Sequence, residues 1–185
     1  GITQGFYWSP DSKKIAYYRF DESKVKEYNM QMWGGLYPDD NKFKYPKAGE
    51  TNSTEDILIY DLATQQTKQL DEGSENDQYI PRIKWTKDAN TLALMRMNRW
   101  QNKMELLLAD ANSGTMSTIY IEEDKAYIDV PDTWMFLNDG KHFLITNEKD
   151  GYNHIYMYDL NGNMVTQITT GNYDVVKING IDEKG

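Results

Sequence analysis

Few residues in this sequence could carry out chemistry, and none falls into a familiar catalytic frame. No serine lies in the Gly-x-Ser-x-Gly pattern that places a nucleophile on a sharp turn, and the chain contains no cysteine. His142 and His154 are twelve positions apart and could face each other across a hairpin as metal ligands. Because no further ligand accompanies them, we interpret both as residues that flank strands. The sequence therefore predicts no catalytic residue and no metal site.

The acidic residues allow two other kinds of site. Asp159–Asn163 resembles a calcium loop, but the bidentate acid expected eleven residues after Asp159 falls on Thr170, so we interpret the segment as a hairpin turn. The acidic runs Asp39-Asp40 and Glu122–Asp124 could supply acid–base pairs. Since neighbours on a strand point to opposite faces, solvated surface is the better interpretation of both. No cofactor is predicted.

Composition narrows the class of protein. The 185 residues are 13% aromatic, with 14 Tyr and 5 Trp, which favours strands. A net charge of −9 repels phosphate backbones, and the 20 Lys and Arg are scattered, so nucleic acid is not an expected partner. No long apolar run is present, and the residues after Gly1 lack the pattern of a signal peptide. We expect no membrane contact by this segment.

An internal repeat in the sequence predicts the strands that must position any functional site. An aromatic residue followed three positions later by Asp begins each unit, at Trp8, Trp85 and Phe136. A later strand of each unit ends in aspartate, at Asp61, Asp110 and Asp159, with intervals of 49 residues. Short turns and a fourth strand follow, and Asn161-Gly162 is a strong hairpin signal. Four antiparallel strands per unit are typical of a β-propeller blade.

The repeat predicts an all-β fold, a β-propeller fragment of about three four-stranded antiparallel blades plus the start of a fourth. The blades are expected at 5–70, 79–121 and 126–168, and the next one begins within 173–185, where Asp174–Ile178 reads as a strand. Three blades cannot close a ring, so open edges should make isolated copies associate. An ordinary β-sandwich with fortuitous repeats is the alternative fold.

The first unit contains an insertion, because Trp8 and Trp85 are 77 residues apart whereas Trp85 and Phe136 are 51 apart. We place it at 23–54 and call it the insertion arm. A connection of this length is usually functional. The high aromatic content could also indicate a surface that stacks on sugars or peptides, but packing between blades explains most of it. The aromatic residues concerned are Tyr17, Tyr18, Trp33, Tyr37 and Trp100.

These residues resemble the N-terminal β-propeller of the dipeptidyl peptidase IV branch of the prolyl oligopeptidase serine peptidases. The resemblance covers nearly the whole chain, and Tyr45–Gly49 (Tyr-Pro-Lys-Ala-Gly) within an insertion is its most specific part. The other matching segments are Trp8–Asp11, Ala16–Asp21, Asn52, Asn98–Asn102 and Gly151–Tyr156.

The resemblance implies a serine exopeptidase that removes dipeptides from N-termini with Pro or Ala second. This segment would be non-catalytic, orienting peptide substrate for an α/β-hydrolase domain of the same chain. The Glu-Glu pair that binds the substrate's ammonium in this family would lie before Gly1, and Glu122-Glu123 is not that pair. Family members carry Arg and Phe for extended substrates where this sequence has Val130–Trp134, so no residue is carried over there. The catalytic Ser, Asp and His would lie beyond Gly185.

The resemblance also implies that the insertion arm helps to form a homodimer, with Trp33, Tyr37, Tyr45, Pro46 and Lys47 as candidate contacts. It further implies a periplasmic, secreted or surface-anchored protein. The alternative function is a free-standing β-propeller that binds a protein partner. A glycosidase or lectin propeller would need convergent carboxylates or a metal site that the sequence does not show.

Overall fold

The computed structural model describes residues 4–183, and all of their regular elements are strands. In chain order these are β1 (Phe6–Trp8), β2 (Lys14–Asp21), β3 (Glu27–Met32), β4 (Asp39–Lys44), β5 (Thr54–Asp61), β6 (Gln66–Gln69), β7 (Gln78–Trp85), β8 (Thr91–Asn98), β9 (Lys103–Asp110), β10 (Met116–Glu123), β11 (Trp134–Phe136), β12 (His142–Asn147), β13 (His154–Asp159) and β14 (Met164–Gln167). The described part of the chain has no helix, and so none long and apolar enough to span a membrane.

The strands form three four-stranded antiparallel sheets and one separate hairpin. The sheet orders are β1-β2-β5-β6, β7-β8-β9-β10 and β11-β12-β13-β14, and β3 pairs with β4. The predicted all-β propeller fold with about three four-stranded blades is confirmed. We number these sheets blades one to three; the exact blade boundaries at 5–70, 79–121 and 126–168 stay a prediction.

Side chains of β7, the first strand of blade two, join it to the first strands of the other two blades. The Trp85 Nε1–H at the end of β7 donates to the Tyr7 carbonyl of β1 over 3.0 Å. The Lys84 ammonium, also on β7, donates to the Trp134 carbonyl of β11 over 2.7 Å. Pro81 lies where the register of β7 shifts against β8, which an edge strand tolerates. The strands β1, β7 and β11 therefore lie side by side along one edge of the stack.

The core consists of two apolar layers between neighbouring blades. Blade two contributes to both layers, because alternate residues of β8 point in opposite directions. Leu92 and Leu94 pack towards blade one, whereas Ala93, Met95 and Met97 pack towards blade three. This double burial accounts for the nearly continuous apolar sequence of β8. A sandwich has a single layer between two sheets, so the stacked layers favour the propeller.

The repeated aspartates cap the hairpin turns at one end of the blades, which we name the turn end. Asp110 Oδ1 accepts the backbone N–H groups of Asn112 and Ser113, at 2.9 and 2.7 Å. Asp61 and Asp159 accept equivalent N–H groups in the other two blades. The 49-residue spacing therefore reflects a turn that must satisfy its own amides.

The opposite end, the loop end, carries the longer connections. They are the insertion arm, the links between blades at 70–77 and 124–133, and the loops 99–102 and 148–153. The insertion arm is more ordered than its sequence suggested, because β3 and β4 pair through six residues each. Polar and apolar residues alternate along β3, with Tyr28, Met30 and Met32 on one face, so a strand signal is present there and our interpretation of the arm overlooked it. In β4 Phe43 is the one apolar residue, and no such signal exists.

The strand expected at Asp174–Ile178 is absent from the structure, and residues 173–183 are irregular. The Val175 N–H donates to the Asn153 carbonyl over 2.7 Å, and Asn153 Nδ2 donates back to the Val175 carbonyl. Asn153 N–H also donates to the Asp174 carboxylate. A strand needs hydrogen bonds to a partner strand, whereas here the backbone N–H and C=O of Val175 are hydrogen-bonded to a loop of blade three.

Candidate functional site

The loop end holds two neighbouring clefts that share Tyr127, Asp129 and Val130 of the link between blades two and three. Tight turns occupy the other end of the same blades, so the long connections that can shape a binding surface are gathered on one side. We name the two clefts the aromatic cleft and the acidic cleft. Together they form the candidate site.

The aromatic cleft lies between blades one and two and has a volume of about 540 Å³. Phe20 reaches it from the end of β2, Tyr79 from the start of β7 and Tyr127 from the link. Phe20 also stacks on Tyr18, with 5.7 Å between ring centroids. Flat aromatic walls of this kind suit the apolar side chains and proline rings of a peptide.

Polar groups in the aromatic cleft could fix the orientation of a bound chain. Arg82 is held by the Asp132 carboxylate, at 2.7 Å, and by the Pro81 carbonyl. Glu55 Oε2 accepts the Ile80 N–H over 2.9 Å, which links β5 to β7. Burial raises the pKa of Glu55, because desolvation disfavours its charged form.

The acidic cleft lies between blades two and three and has a volume of about 350 Å³. Among the described residues, six carboxylates and one lysine, Lys149, line it; the carboxylates are Glu122, Glu123, Asp124, Asp129, Asp132 and Glu148. The ends of β10 and β12 and the loops that follow them supply these residues. The cleft is therefore a concave surface with an excess of negative charge.

Glu122 corrects the interpretation of Glu122–Asp124 as solvated surface. The Tyr120 hydroxyl donates to Glu122 Oε2 over 2.9 Å and itself accepts Asn147 Nδ2 over 2.6 Å. Glu122 is partly buried, and desolvation raises its pKa. The register of β10 is regular from Tyr120 to Glu123, so strand alternation places Glu122 on the face of Tyr120. Asn147 at the end of β12 packs against that face, and this contact between blades is what the sequence could not show. Asp39 and Asp40, in contrast, are exposed on β4.

The insertion arm presents its aromatic residues to solvent. Trp33 is 72% exposed and Tyr37 is 85% exposed, both in the turn between β3 and β4. Tyr45 is 53% exposed and packs with Tyr28 and Phe43 at its base. Lys47 lies over the Tyr28 ring, 4.3 Å from the centroid, and Pro46 beside it is half-buried. Trp33 and Tyr37 thus do not take part in packing between blades, contrary to the general expectation for the aromatic excess.

The histidines do not form a pair. The β12–β13 register places His142 opposite Asp159 and His154 opposite Asn147, so the two rings lie at opposite ends of one hairpin. His154 is buried, with Nδ1 beside Thr169 Oγ1 and Nε2 beside the Gly171 carbonyl. His142 contacts the Asp139 carboxylate. Within residues 4–183 no group of three His, Cys, Asp or Glu is arranged to hold a metal ion.

Asp159 acts as a turn cap and does not form a calcium loop in this structure. Its Oδ1 accepts the N–H groups of Asn161 and Asn163, and its Oδ2 accepts Asn163 Nδ2. Both oxygens that would coordinate a cation are already hydrogen-bonded to the turn.

Sequence reasoning missed the residues that line the aromatic cleft, among them Phe20, Tyr79 and Tyr127. One signal could have found part of the set. The short turns after Trp8, Trp85 and Phe136 share one end of the sheets, so residues at the far ends of the same strands must share the other.

Stacked four-stranded antiparallel blades that join through their first strands define a β-propeller. The family described as "Dipeptidyl peptidase IV (DPP IV) N-terminal region" matches residues 1–185. The chain belongs to this family.

Relatives and solved structures agree with this assignment. The crystal structure of Porphyromonas gingivalis dipeptidyl peptidase 4 superposes with a TM-score of 0.88 at 40% identity, covering 100% of this chain and 27% of that one. A putative dipeptidyl aminopeptidase IV from Bacteroides ovatus gives a TM-score of 0.88 at 30% identity, covering 98% of this chain and 29% of that one.

Two curated relatives show the range of the family. The probable dipeptidyl peptidase 4 of Aspergillus flavus is 24% identical, over 100% of this chain and 26% of its own length. The inactive dipeptidyl peptidase 10 of Mus musculus is 28% identical, over 96% of this chain and 24% of its own length. The chain thus spans about a quarter of the length of these relatives.

Proposed function

We propose that this chain is a non-catalytic propeller segment of a dipeptidyl-peptidase-IV-like serine exopeptidase that removes N-terminal X-Pro and X-Ala dipeptides. The segment restricts access to the catalytic chamber and orients the peptide, and an α/β-hydrolase domain of the full-length protein cleaves it. The observation that carries the proposal is the pair of clefts on one end of the blades in a chain of this family.

Chain direction supports a role of this end in substrate binding. The Tyr18 N–H donates to the Gly5 carbonyl, so the chain enters β1 from the end of the sheet at which Phe20 lies. An acidic pair that precedes Gly1 and captures the substrate's ammonium would then enter from the aromatic cleft's side. A peptide held there by its N-terminus has the aromatic walls within reach.

The first test is hydrolysis of Gly-Pro-p-nitroanilide by the full-length protein, with and without a serine-directed organophosphonate. Hydrolysis that the inhibitor abolishes supports a serine dipeptidyl peptidase. A folded full-length protein with no hydrolysis of this substrate contradicts the proposal and favours the second candidate, a β-propeller that binds a protein partner. The relative named inactive dipeptidyl peptidase 10 shows that a similar chain need not belong to an active peptidase.

The second test separates orientation from catalysis. Tyr127→Ala removes an aromatic wall of the cleft, so we expect KM for Gly-Pro-led octapeptides to rise about three- to tenfold. Trp100→Ala is the matched control, because Trp100 is 82% exposed and lines neither cleft. Equal KM values in the two variants would contradict a role of the aromatic cleft in substrate binding.

We also propose that the insertion arm contributes to a homodimer through Trp33, Tyr37 and Tyr45. Large apolar groups exposed together are uncommon on a surface that meets only water. Light scattering of the full-length protein with Trp33→Ala and Tyr37→Ala combined should show a shift from dimer to monomer, whereas Trp100→Ala should leave the dimer intact. A dimer that survives the double change places the interface elsewhere. Export of the full-length protein is a further proposal, which fractionation of the producing cells tests.

A further inference from the structure

The acidic cleft holds more negative charge than the described residues, 4–183, neutralise. Among its carboxylates, Asp132 pairs with Arg82 at 2.7 Å and Glu123 pairs loosely with Lys103 at 3.6 Å. Within residues 4–183, Asp129 and Glu148 form no salt bridge. Their charges are therefore available to a cation that enters from outside.

Lys149, the one lysine among the described residues that line the acidic cleft, contacts the aromatic residues of β13. Lys149 Nζ lies 3.9 Å from the centroid of the Tyr156 ring and donates to the Tyr158 hydroxyl over 3.0 Å. This side chain does little for Glu122, whose pKa is raised chiefly by desolvation and further by the like charge of Glu148. The cleft wall therefore keeps an excess of negative charge.

A second, independent feature of the cleft is a mostly buried polar side chain whose hydroxyl is not paired within the protein. Thr146 at the end of β12 lines the cleft and is only 7% exposed. Within the part of the chain that the structure describes, its Oγ1 forms no hydrogen bond, and it is open to the cleft, since Tyr156 Oη is the fully buried side-chain atom without a partner there. A hydroxyl oxygen accepts hydrogen bonds from ammonium and guanidinium groups. The carboxylates and Thr146 can thus bind the same kind of ligand, a cation with N–H donors.

We propose that the acidic cleft binds a lysine or arginine side chain of the peptide substrate, downstream of the dipeptide that is removed. This inference rests on the proposed peptidase function. The shared wall at Tyr127, Asp129 and Val130 supports it, because a peptide in the aromatic cleft needs only to pass that wall to place a side chain in the acidic one. A long basic side chain buries its alkyl part along such a wall and carries its charge to the carboxylates.

The test uses the full-length protein and Gly-Pro-led octapeptides that carry either Lys or Gln at each position after the third in turn. The quantity measured is the ratio of kcat/KM for the Lys peptide to that for the Gln peptide. At one or more positions we expect a ratio of about three to ten, which falls towards one in high salt as the charges are screened. A ratio of one at every position overturns the proposal.

Variants then assign the preference to the cleft. Glu148→Gln combined with Asp129→Asn removes two carboxylates and should bring the ratio to about one. Glu122 is kept, because it accepts the Tyr120 hydroxyl and its replacement could disturb folding. Glu75→Gln is the matched control: it changes the charge by the same amount per residue, lies at the loop end and lines neither cleft, so the ratio should stay at the wild-type value. A ratio that survives the double change overturns the proposal.

Binding distinguishes this inference from the proposed function. Fluorescence anisotropy of labelled Lys and Gln octapeptides can be measured on a full-length protein that hydrolyses nothing. Stronger binding of the Lys peptide that disappears in the double variant supports the cleft even if the peptidase proposal fails. Hydrolysis of Gly-Pro-p-nitroanilide together with equal treatment of Lys and Gln peptides upholds the peptidase and rejects the cleft.

Discussion

Trp85→Phe tests whether the repeat anchors hold neighbouring blades together. Trp85 is 8% exposed at the end of β7, packs in the layer between blades one and two, and donates its Nε1–H to the Tyr7 carbonyl over 3.0 Å. Phenylalanine keeps an aromatic ring in the layer, but it removes the donor and the second ring. Trp8 occupies the same position of the repeat in blade one and is 49% exposed, so Trp8→Phe is the matched control.

The expected cost of Trp85→Phe has two parts. Loss of a hydrogen bond whose acceptor lies between blades costs about 1 kcal/mol of unfolding free energy. The space left by the missing ring costs about another 1 kcal/mol, because the strands around it cannot collapse fully. We therefore expect a loss of about 2 kcal/mol. Trp8→Phe, at a half-exposed site, should cost less than about 0.5 kcal/mol.

The assay is urea unfolding of this chain followed by far-ultraviolet circular dichroism, with linear extrapolation to water. The two variants should share the wild-type dependence on urea, so that the midpoint alone reports the change in stability. If Trp85→Phe costs no more than Trp8→Phe, the contact between blades does not depend on this anchor, and the structural meaning given to the repeat is wrong.

Three further predictions concern the turn end, a buried carboxylate and the exposed edges. Asp110→Ala removes the acceptor of two backbone N–H groups and should cost about 1 kcal/mol by urea unfolding, whereas Asp110→Asn, which keeps an acceptor oxygen, should cost less. Glu72 accepts the Ile57 N–H over 2.6 Å, and burial raises its pKa above the unfolded value. Protonated Glu72 therefore stabilises the fold fully at a pH below the pKa of the unfolded state, and this stabilisation is lost as the pH rises through the higher pKa of the folded state. Glu72→Gln should raise the melting temperature relative to wild type more at pH 7.5 than at pH 4.5, and an equal difference at both pH values would contradict this. Light scattering of this chain alone should show association at high concentration, because unpaired strand edges and exposed apolar groups favour it, and a strict monomer would contradict this expectation.

The sequence predicts the blades well because their repeat reflects needs that each blade meets by itself. A turn of four or five residues needs an aspartate to accept its amides, and an aromatic anchor at Trp85 or Phe136 fills the space beside the neighbouring blade. Each need recurs at the same place in every blade, so spacing alone reveals it. The two strands of the insertion arm occur once, in blade one, and have no repeat to reveal them.

The clefts are harder to predict because they arise between blades. Tyr79 and Tyr127 are distant from Phe20 in sequence and meet it only when blades one and two stack. The acidic cleft needs the end of β10, the end of β12 and the link between them in one place, and no single segment shows that its carboxylates will face a common space. The same reasoning explains the error at Glu122. Strand alternation places this side chain on the face of β10 that carries Tyr120, and that face is covered only when Asn147 of blade three packs against it. Since a repeat constrains each blade but not the loops at its far end, the shape and charge of the clefts at the loop end are free to vary while the blades stay the same.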